Sequence, residues 1–276
     1  MQIKLKTKAL IVTLALLSLL TSPALAARQK LTVKGSTTVL PIAQVSAEVL
    51  MDRAPDLDIS VQGGGSGLGL AALLDKTTQI AMSSRSIKPT ETAKASAKGI
   101  KPLATVVAYD GIAVVAHPAN RVKGLSLAQL QAIYTGRVTN WSSLGGPNLK
   151  IVVISRDSAS GTYEAFEELA LRKLRVKAGA LSAASNQAVA KTVAQTPGAI
   201  GYIGLGYLSP RVKALSIDGQ VCNRANILSK RYALSRPLLL YTNGQPTGNA
   251  KRFIDFILSA EGQKLIVEQG FVGVKR

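Results

Sequence analysis

The chain has 276 residues, with 34 Lys and Arg against 15 Asp and Glu and a formal net charge of +19. Its 47% apolar and 18% charged composition suits a well-buried globular protein and argues against disorder. One histidine, His117, and one cysteine, Cys222, exclude a disulfide framework, a Cys/His zinc site, a multi-histidine metal centre and an iron–sulfur cluster.

Lys4, Lys6 and Lys8 precede a largely apolar run, Ala9 to Leu20, and Ala24-Leu25-Ala26 has the small-x-small form of a cleavage site. This pattern predicts a secretory signal peptide over residues 1–26, because the run is too short to span a bilayer. No cysteine lies near the cleavage point, so no lipid anchor is expected. The segment holds three lysines and no acids, so its removal leaves 250 residues at +16. That length predicts two lobes. No repeat, low-complexity tract or linker separates them, so the lobes must arise by the chain crossing between them.

Leu31-Thr32-Val33 reads as a strand, followed by the loop Gly35-Ser36-Thr37-Thr38 and a helix starting near Pro41, a residue suited to a first turn. Asp58 to Gln62 is a second strand, and Gly63-Gly64-Gly65-Ser66-Gly67 leads into a helix from Leu68 to Leu74. Ile80-Ala81-Met82 is a strand ending in Ser83-Ser84-Arg85. Residues 101–108 and 111–116 read as two strands flanking Tyr109-Asp110-Gly111. Ile151 to Ser155 is a strand, Arg156 to Thr162 a loop, and Tyr163 to Lys173 a helix. Leu238 to Thr242 is a late strand, and Ala250 to Gln269 gives two helices broken at Ser259. Strand–loop–helix units of this kind specify an α/β sheet covered by helices on both faces.

Three loops, 35–38, 63–67 and 158–162, place Ser, Thr and Gly directly before a helix. Glycine admits a ligand close to the backbone, hydroxyls donate, and a helix N-terminus adds free N–H groups with positive partial charge. That combination makes an oxyanion site. Ser and Thr are also common N-caps, so each loop taken alone fits capping equally well. Three such loops, one with Arg156 six residues before Thr162, favour a convergent anion pocket. None matches G-x-x-x-x-G-K-[ST], so a nucleotide P-loop is not supported. His117 reads as a surface or hydrogen-bonding residue, Cys222 as a buried inert thiol, and Trp141 as packing for a loop of the second lobe. Aromatic residues at 4% are too few for stacking platforms, so nucleic-acid binding is not expected.

The chain resembles the phosphate-binding proteins of bacterial ABC phosphate importers over nearly its whole length after residue 26. The resemblance is carried by Gly35 to Pro41, by Gly63 to Gly67, and by Leu125 to Trp141 with Tyr134-Thr135-Gly136 and Thr139-Asn140-Trp141. It continues through Arg156 with Ser160-Gly161-Thr162, Pro197 to Tyr202, and Phe253 to Gly270 with Glu261-Gly262-Gln263. It implies a two-lobe periplasmic binding fold, each lobe a sheet covered by helices, with the ligand in the hinge cleft. Lobe I would hold residues 27–110 and 235–276, and lobe II residues 111–234. It further implies phosphate contacts from Thr37, Thr38, Ser66, Arg156, Ser160, Gly161 and Thr162, with Ser36 and Arg85 completing the set. Asp110, where the lobes cross, is expected to accept the proton that phosphate keeps and sulfate lacks. The implied role is a monomeric, non-enzymatic, periplasmic or secreted receptor for inorganic phosphate. Its partners would be the permease and ATPase subunits of an importer, with no cofactor, metal or nucleic acid. The alternatives are a secreted phosphatase-like protein on the same scaffold and a receptor for another tetrahedral oxyanion.

Overall fold

The structure, a computed structural model, describes residues 29–274; the expected signal peptide lies outside the described residues. In chain order the first lobe begins with β1 (Gln29–Gly35), α1 (Leu40–Arg53), β2 (Leu57–Gln62), α2 (Ser66–Leu74), β3 (Ile80–Ser83) and α3 (Pro89–Ala97). Leu31 and Val33 are buried while Thr32 and Lys34 are half-buried, the alternation that makes β1 a strand with one face on the core. Strand β1 lies between β2 and β3, parallel to both, so the loops that follow all three emerge at one edge of the sheet.

Strand β4 (Pro102–Ala116) joins the lobes. Its first part pairs antiparallel with β11 (Ser235–Asn243), through Pro102↔Asn243 to Gly111↔Ser235. Its second part pairs with β8 (Ala199–Gly204), from Ile112↔Gly204 to Ala116↔Ile200. The sequence suggests two strands, 101–108 and 111–116, flanking Tyr109-Asp110-Gly111; the structure has one strand of 15 residues. The strand continues because Asp110 and Gly111 keep their places in the ladders, opposite Arg236 and Ser235, and the Asp110 carboxylate is held by Arg236 and Leu205 N. Gly111 serves packing instead: a Cβ there would lie 2.5 Å from Cys222 Sγ and 2.9 Å from Ile227 Cδ1.

The second lobe contains β5 (Gly124–Leu125), α4 (Leu127–Tyr134), β6 (Val152–Arg156), α5 (Gly161–Leu169), β7 (Leu181–Ala183), α6 (Asn186–Gln195), β8, β9 (Lys213–Ala214), β10 (Ser216–Ile217) and α7 (Arg224–Leu228). The chain returns through β11 to α8 (Gly248–Leu258), α9 (Ala260–Glu268) and β12 (Val272–Gly273). The main sheet runs β2-β1-β3-β11-β4-β8-β6-β7. Helix α5 ends at Leu169, short of the expected Lys173, because Arg172 and Lys173 take left-handed backbone at φ 50° and 67°. Helix α2 starts at Ser66 rather than Leu68, directly after Gly65 at φ 113°. The break at Ser259 is present, and Ser259 caps α9 by accepting from Gly262 N.

Two large hydrophobic cores share the sheet, with two smaller clusters around Leu70 and Leu74 of α2. One packs Leu31, Val33, Ile42, Ile80 and Met82 against Leu238, Leu240, Phe253 and Ile257. The other gathers Ile112 to Ala116, Tyr134, Trp141, Phe166, Tyr202 and Leu234. The chain passes between them at residues 109–111 and again at 235–237. Phe166 stacks on Tyr202 with ring centroids 4.0 Å apart, and Tyr134 meets Phe166 edge-on at 4.7 Å. The Tyr202 hydroxyl accepts from Arg156 N at 3.1 Å, so this aromatic stack fixes the end of β6.

Candidate functional site

The loops singled out in the sequence converge between the lobes. Ser36 folds the first loop by accepting from Thr38 N at 3.1 Å and Val39 N at 3.4 Å. Gly35, at φ 136°, is obligatory because a Cβ would lie 2.2 Å from the Met82 carbonyl oxygen. Ser66 opens α2 and accepts from Ser84 N at 3.1 Å, joining the second loop to the end of β3. From the other lobe, Ser160 caps α5 by accepting from Tyr163 N at 3.2 Å. Gly161 and Thr162 form the first turn of α5, whose leading amides have no intrahelical carbonyl to bond. Thr38, Ser66, Ser160 and Thr162 are all at most 1% exposed.

The lobes touch across the cleft. Thr38 Oγ1 and Thr162 Oγ1 are 2.9 Å apart, Gly67 N donates to the Ala159 carbonyl at 3.0 Å, and the Tyr207 hydroxyl donates to the Thr37 carbonyl at 2.5 Å. A Cβ on Gly161 would lie 2.2 Å from Ser66 Oγ and 2.8 Å from Ser66 Cβ. Gly161→Ala should therefore wedge the cleft open. Ligand affinity should fall at least tenfold while the unliganded protein keeps its melting temperature; unchanged affinity in titration calorimetry would show that the two loops need not meet.

Arg156 enters from β6 and is 4% exposed. Its Nε donates to the Ala183 carbonyl at 2.9 Å, and Nη2 donates to the Ala184 carbonyl at 3.1 Å and to Thr37 Oγ1 at 3.3 Å. Its Nη1 has no hydrogen-bond partner. None of the ion pairs among the described residues includes Arg156. Burial lowers the guanidinium pKa, as expected for a cation removed from water. Asp157 opposes that fall without pairing with it, and a buried guanidinium with no ion-pair partner and an orphan N–H suits an anion.

A second buried arginine, Arg236 on β11, was not among the residues expected from the sequence. Its Nε and Nη2 donate to Asp110 Oδ2 at 3.0 and 2.8 Å. Its Nη1 donates to the Ser84 and Gly161 carbonyls at 3.2 and 3.4 Å, and Nη2 to Thr162 Oγ1 at 3.0 Å and Thr38 Oγ1 at 3.4 Å. Asp110 is fully buried and accepts from Leu205 N on Oδ1 at 2.8 Å. Burial raises its pKa, and the Arg236 charge opposes that rise. The carboxylate thus anchors Arg236 against both lobes. Arg156, Arg236 and Asp110 together carry one net positive charge.

Arg85 departs from the expected set. Its guanidinium bonds both Glu91 oxygens at 2.7 and 2.8 Å and pairs with Glu164 of α5. Lys88 also reaches Glu164, at 3.1 Å. Arg85 therefore ties α3 to the opposite lobe, because Glu91 in the first turn of α3 and Glu164 across the cleft take all of its charge. Asn186, at the start of α6, is a second residue that sequence reading missed; it donates to Thr37 and Thr38 at 3.3 and 3.0 Å. Its place after the cap Ser185 looks like an ordinary helix start. Arg236 did carry a signal, since an arginine inside the apolar run from Leu234 to Tyr241 has to be buried and paired. Trp141 is fully buried and donates to the Gly198 carbonyl at 2.9 Å, and Cys222 is buried, with burial pushing its thiol pKa far up.

Two α/β lobes joined by crossing strands, with oxyanion donors gathered at the carboxyl ends of strands in the cleft between them, define a solute-binding protein of the periplasmic type. A family model described as a PBP superfamily domain matches residues 21–261. The phosphate-binding protein PstS of Bacillus subtilis (strain 168) is 38% identical over 249 residues, covering 88% of this chain and 80% of that protein. Among solved structures, a substrate-binding protein assigned to a phosphate ABC transporter of Clostridium perfringens, with bound phosphate, superposes with a TM-score of 0.83 at 35% identity. That match covers 90% of this chain and all of the other. An ABC-type phosphate transport receptor from Vibrio cholerae gives a TM-score of 0.73 at 34% identity, over 88% of this chain and 99% of that one. The chain belongs to the PBP superfamily and, within it, to the family of phosphate-binding proteins PstS.

Proposed function

We propose that this protein is an extracytoplasmic receptor that binds inorganic phosphate between its lobes and delivers it to the permease and ATPase subunits of an ABC importer. The single observation that carries the reading is Arg156, buried with no ion-pair partner among the described residues, with Nη1 unpartnered and Nη2 on Thr37. The proposed ligand contacts are Thr37, Thr38, Ser66, Arg156, Ser160, Gly161 and Thr162. Ser36 shapes the first loop, Asp110 anchors Arg236, and Arg85 ties the lobes together. Lobe I is assigned residues 27–110 and 235–276 and lobe II residues 111–234, in keeping with the two cores. Export follows from the pattern of residues 1–26, and the receptor acts as a monomer.

Binding without catalysis is the favoured reading. His117, the only histidine, uses Nδ1 to accept from Ala119 N and stands beside no nucleophilic serine of the cleft. The relatives named above are binding proteins. Titration calorimetry of stripped protein against phosphate, sulfate, arsenate and molybdate tests the ligand, with a phosphate heat expected. Turnover of a chromogenic phosphate ester would move the protein to the enzymatic alternative.

Closure follows from the same contacts. A ligand shifts the lobes only through bonds it makes in the closed form and lacks in the open one. Thr37 and Ser66 stand on one lobe and Arg156 to Thr162 on the other, so phosphate should reduce the radius of gyration in small-angle scattering. Identical profiles with and without phosphate would remove the hinge from the mechanism.

A further inference from the structure

A hydroxyl offers one proton and two lone pairs, so filling both lone pairs forces its proton outward. The threonines of the cleft are filled in this way. Asn186 Oδ1 accepts from Gly204 N at 3.1 Å, and because a backbone N–H only donates, this contact fixes the side-chain amide with Nδ2 facing the threonines. The two Nδ2 protons then go to Thr37 Oγ1 at 3.3 Å and Thr38 Oγ1 at 3.0 Å. Thr37 Oγ1 also receives Arg156 Nη2 at 3.3 Å, which occupies its second lone pair. One Arg236 Nη2 proton goes to Asp110, and the other goes chiefly to Thr162 Oγ1 at 3.0 Å, with Thr38 Oγ1 at 3.4 Å.

One proton bridges the 2.9 Å between Thr38 and Thr162. Whichever hydroxyl accepts it then has both lone pairs filled, Thr38 by Asn186 and Thr162 or Thr162 by Arg236 and Thr38, so one proton of the pair is left to point elsewhere. Thr37, with both lone pairs filled, also has its proton left over, and Arg156 Nη1 is a third donor with no acceptor. Gly204 lies at the end of β8, so the orientation of this network is set by a backbone amide of the second lobe's sheet.

We infer that Asn186 and Arg236 are the specificity-determining positioning residues of the cleft: they load the threonine lone pairs so that Thr37 and one hydroxyl of the Thr38–Thr162 pair can meet a ligand only as donors. This inference rests on the phosphate reading above and adds to it a preference for unprotonated oxyanion oxygens at those two hydroxyls. Asn186→Asp reverses the polarity with almost no change of shape. The new carboxylate still accepts from Gly204 N but now takes the Thr37 and Thr38 protons, turning their lone pairs inward.

The test is phosphate titration of full-length Asn186 variants in two backgrounds, wild type and Thr37→Val/Thr38→Val. In the wild-type background Asn186→Asp should lower phosphate affinity about 100-fold and Asn186→Ala about tenfold, from hydrogen bonds to a charged ligand that are reversed or loosened. In the double-valine background the Asn186→Asp penalty should be at least tenfold smaller, because no hydroxyl remains to be turned. An equal penalty in both backgrounds would overturn the inference and assign the effect to the added charge near Arg156. If Asn186→Asp does not fold, the Asn186→Ala cycle gives the same test with an expected coupling of about threefold, and additivity overturns the inference. Wild-type protein that gives no phosphate heat overturns the phosphate reading together with this inference, whereas binding with uncoupled Asn186 variants overturns this inference alone.

Discussion

Arg156→Ala should weaken phosphate binding by about 2–4 kcal/mol, roughly 30- to 1000-fold, which is the loss of one or two charge-assisted hydrogen bonds at about 1.5–3 kcal/mol each with partial relaxation. The same change should leave the unliganded fold nearly as stable as before. Truncation frees the Ala183 and Ala184 carbonyls of their donor, which costs stability, but it also removes a buried cation that has no ion-pair partner among the described residues. The two effects oppose each other. Thermal unfolding without phosphate should therefore move little, while the upward shift that phosphate gives the wild type should vanish. Arg156→Lys should restore only part of the affinity, because an ammonium supplies a point charge in place of the planar fork. An alanine variant that binds as tightly as wild type would place the anion elsewhere.

Asp110→Ala should do the reverse, damaging stability first. Asp110 and Arg236 form an ion pair at 2.8 Å with side chains 0% and 4% exposed, and removing one partner strands the other charge. Breaking such a buried pair costs about 3–5 kcal/mol, which for a chain of this size is a fall in melting temperature of about 6–20 °C. Replacing both members, as in Asp110→Leu with Arg236→Met, should recover much of that loss, because no unpaired charge is left. A double-mutant cycle on melting temperature measures the coupling, and additivity of the two single changes would show that the pair contributes nothing specific. Asp110→Asn separates two roles for the acid. If Asp110 accepted the proton of phosphate, the preference over sulfate would collapse; as the anchor of Arg236, its loss should weaken both anions together. The observed partners, Arg236 on one oxygen and Leu205 N on the other, support the second outcome, which competition titration of the two anions at fixed pH and salt will read.

Much of the architecture is local and so was readable along the chain. The alternation in β1, Pro41 in the first turn of α1, the Ser and Gly loops before α1, α2 and α5, and the break at Ser259 each depend on residues within a few positions. The failures were also local in appearance. Asp110-Gly111 has the composition of a turn but lies inside a 15-residue strand. Its carboxylate is satisfied by Arg236, 126 positions away, and its glycine is required by the Cys222 sulfur.

The three candidate loops were determined by the sequence alone, because an oxyanion donor set needs only small residues, hydroxyls and a helix start in succession. Which arginine faces the cleft was decided only by the tertiary structure. Arg85 and Arg156 look alike in the chain, each ending a short apolar strand after serine. Folding brings Glu91 and Glu164 into ion pairs with Arg85 and forms no ion pair with Arg156 among the described residues, leaving its Nη1 unpartnered. Arg236 reaches the same cleft from a strand 74 positions beyond Thr162, and Asn186 reaches Thr38 across 148. A charge becomes a ligand-binding charge through the partners it lacks, and partners this far apart in sequence are assigned only when the two lobes pack.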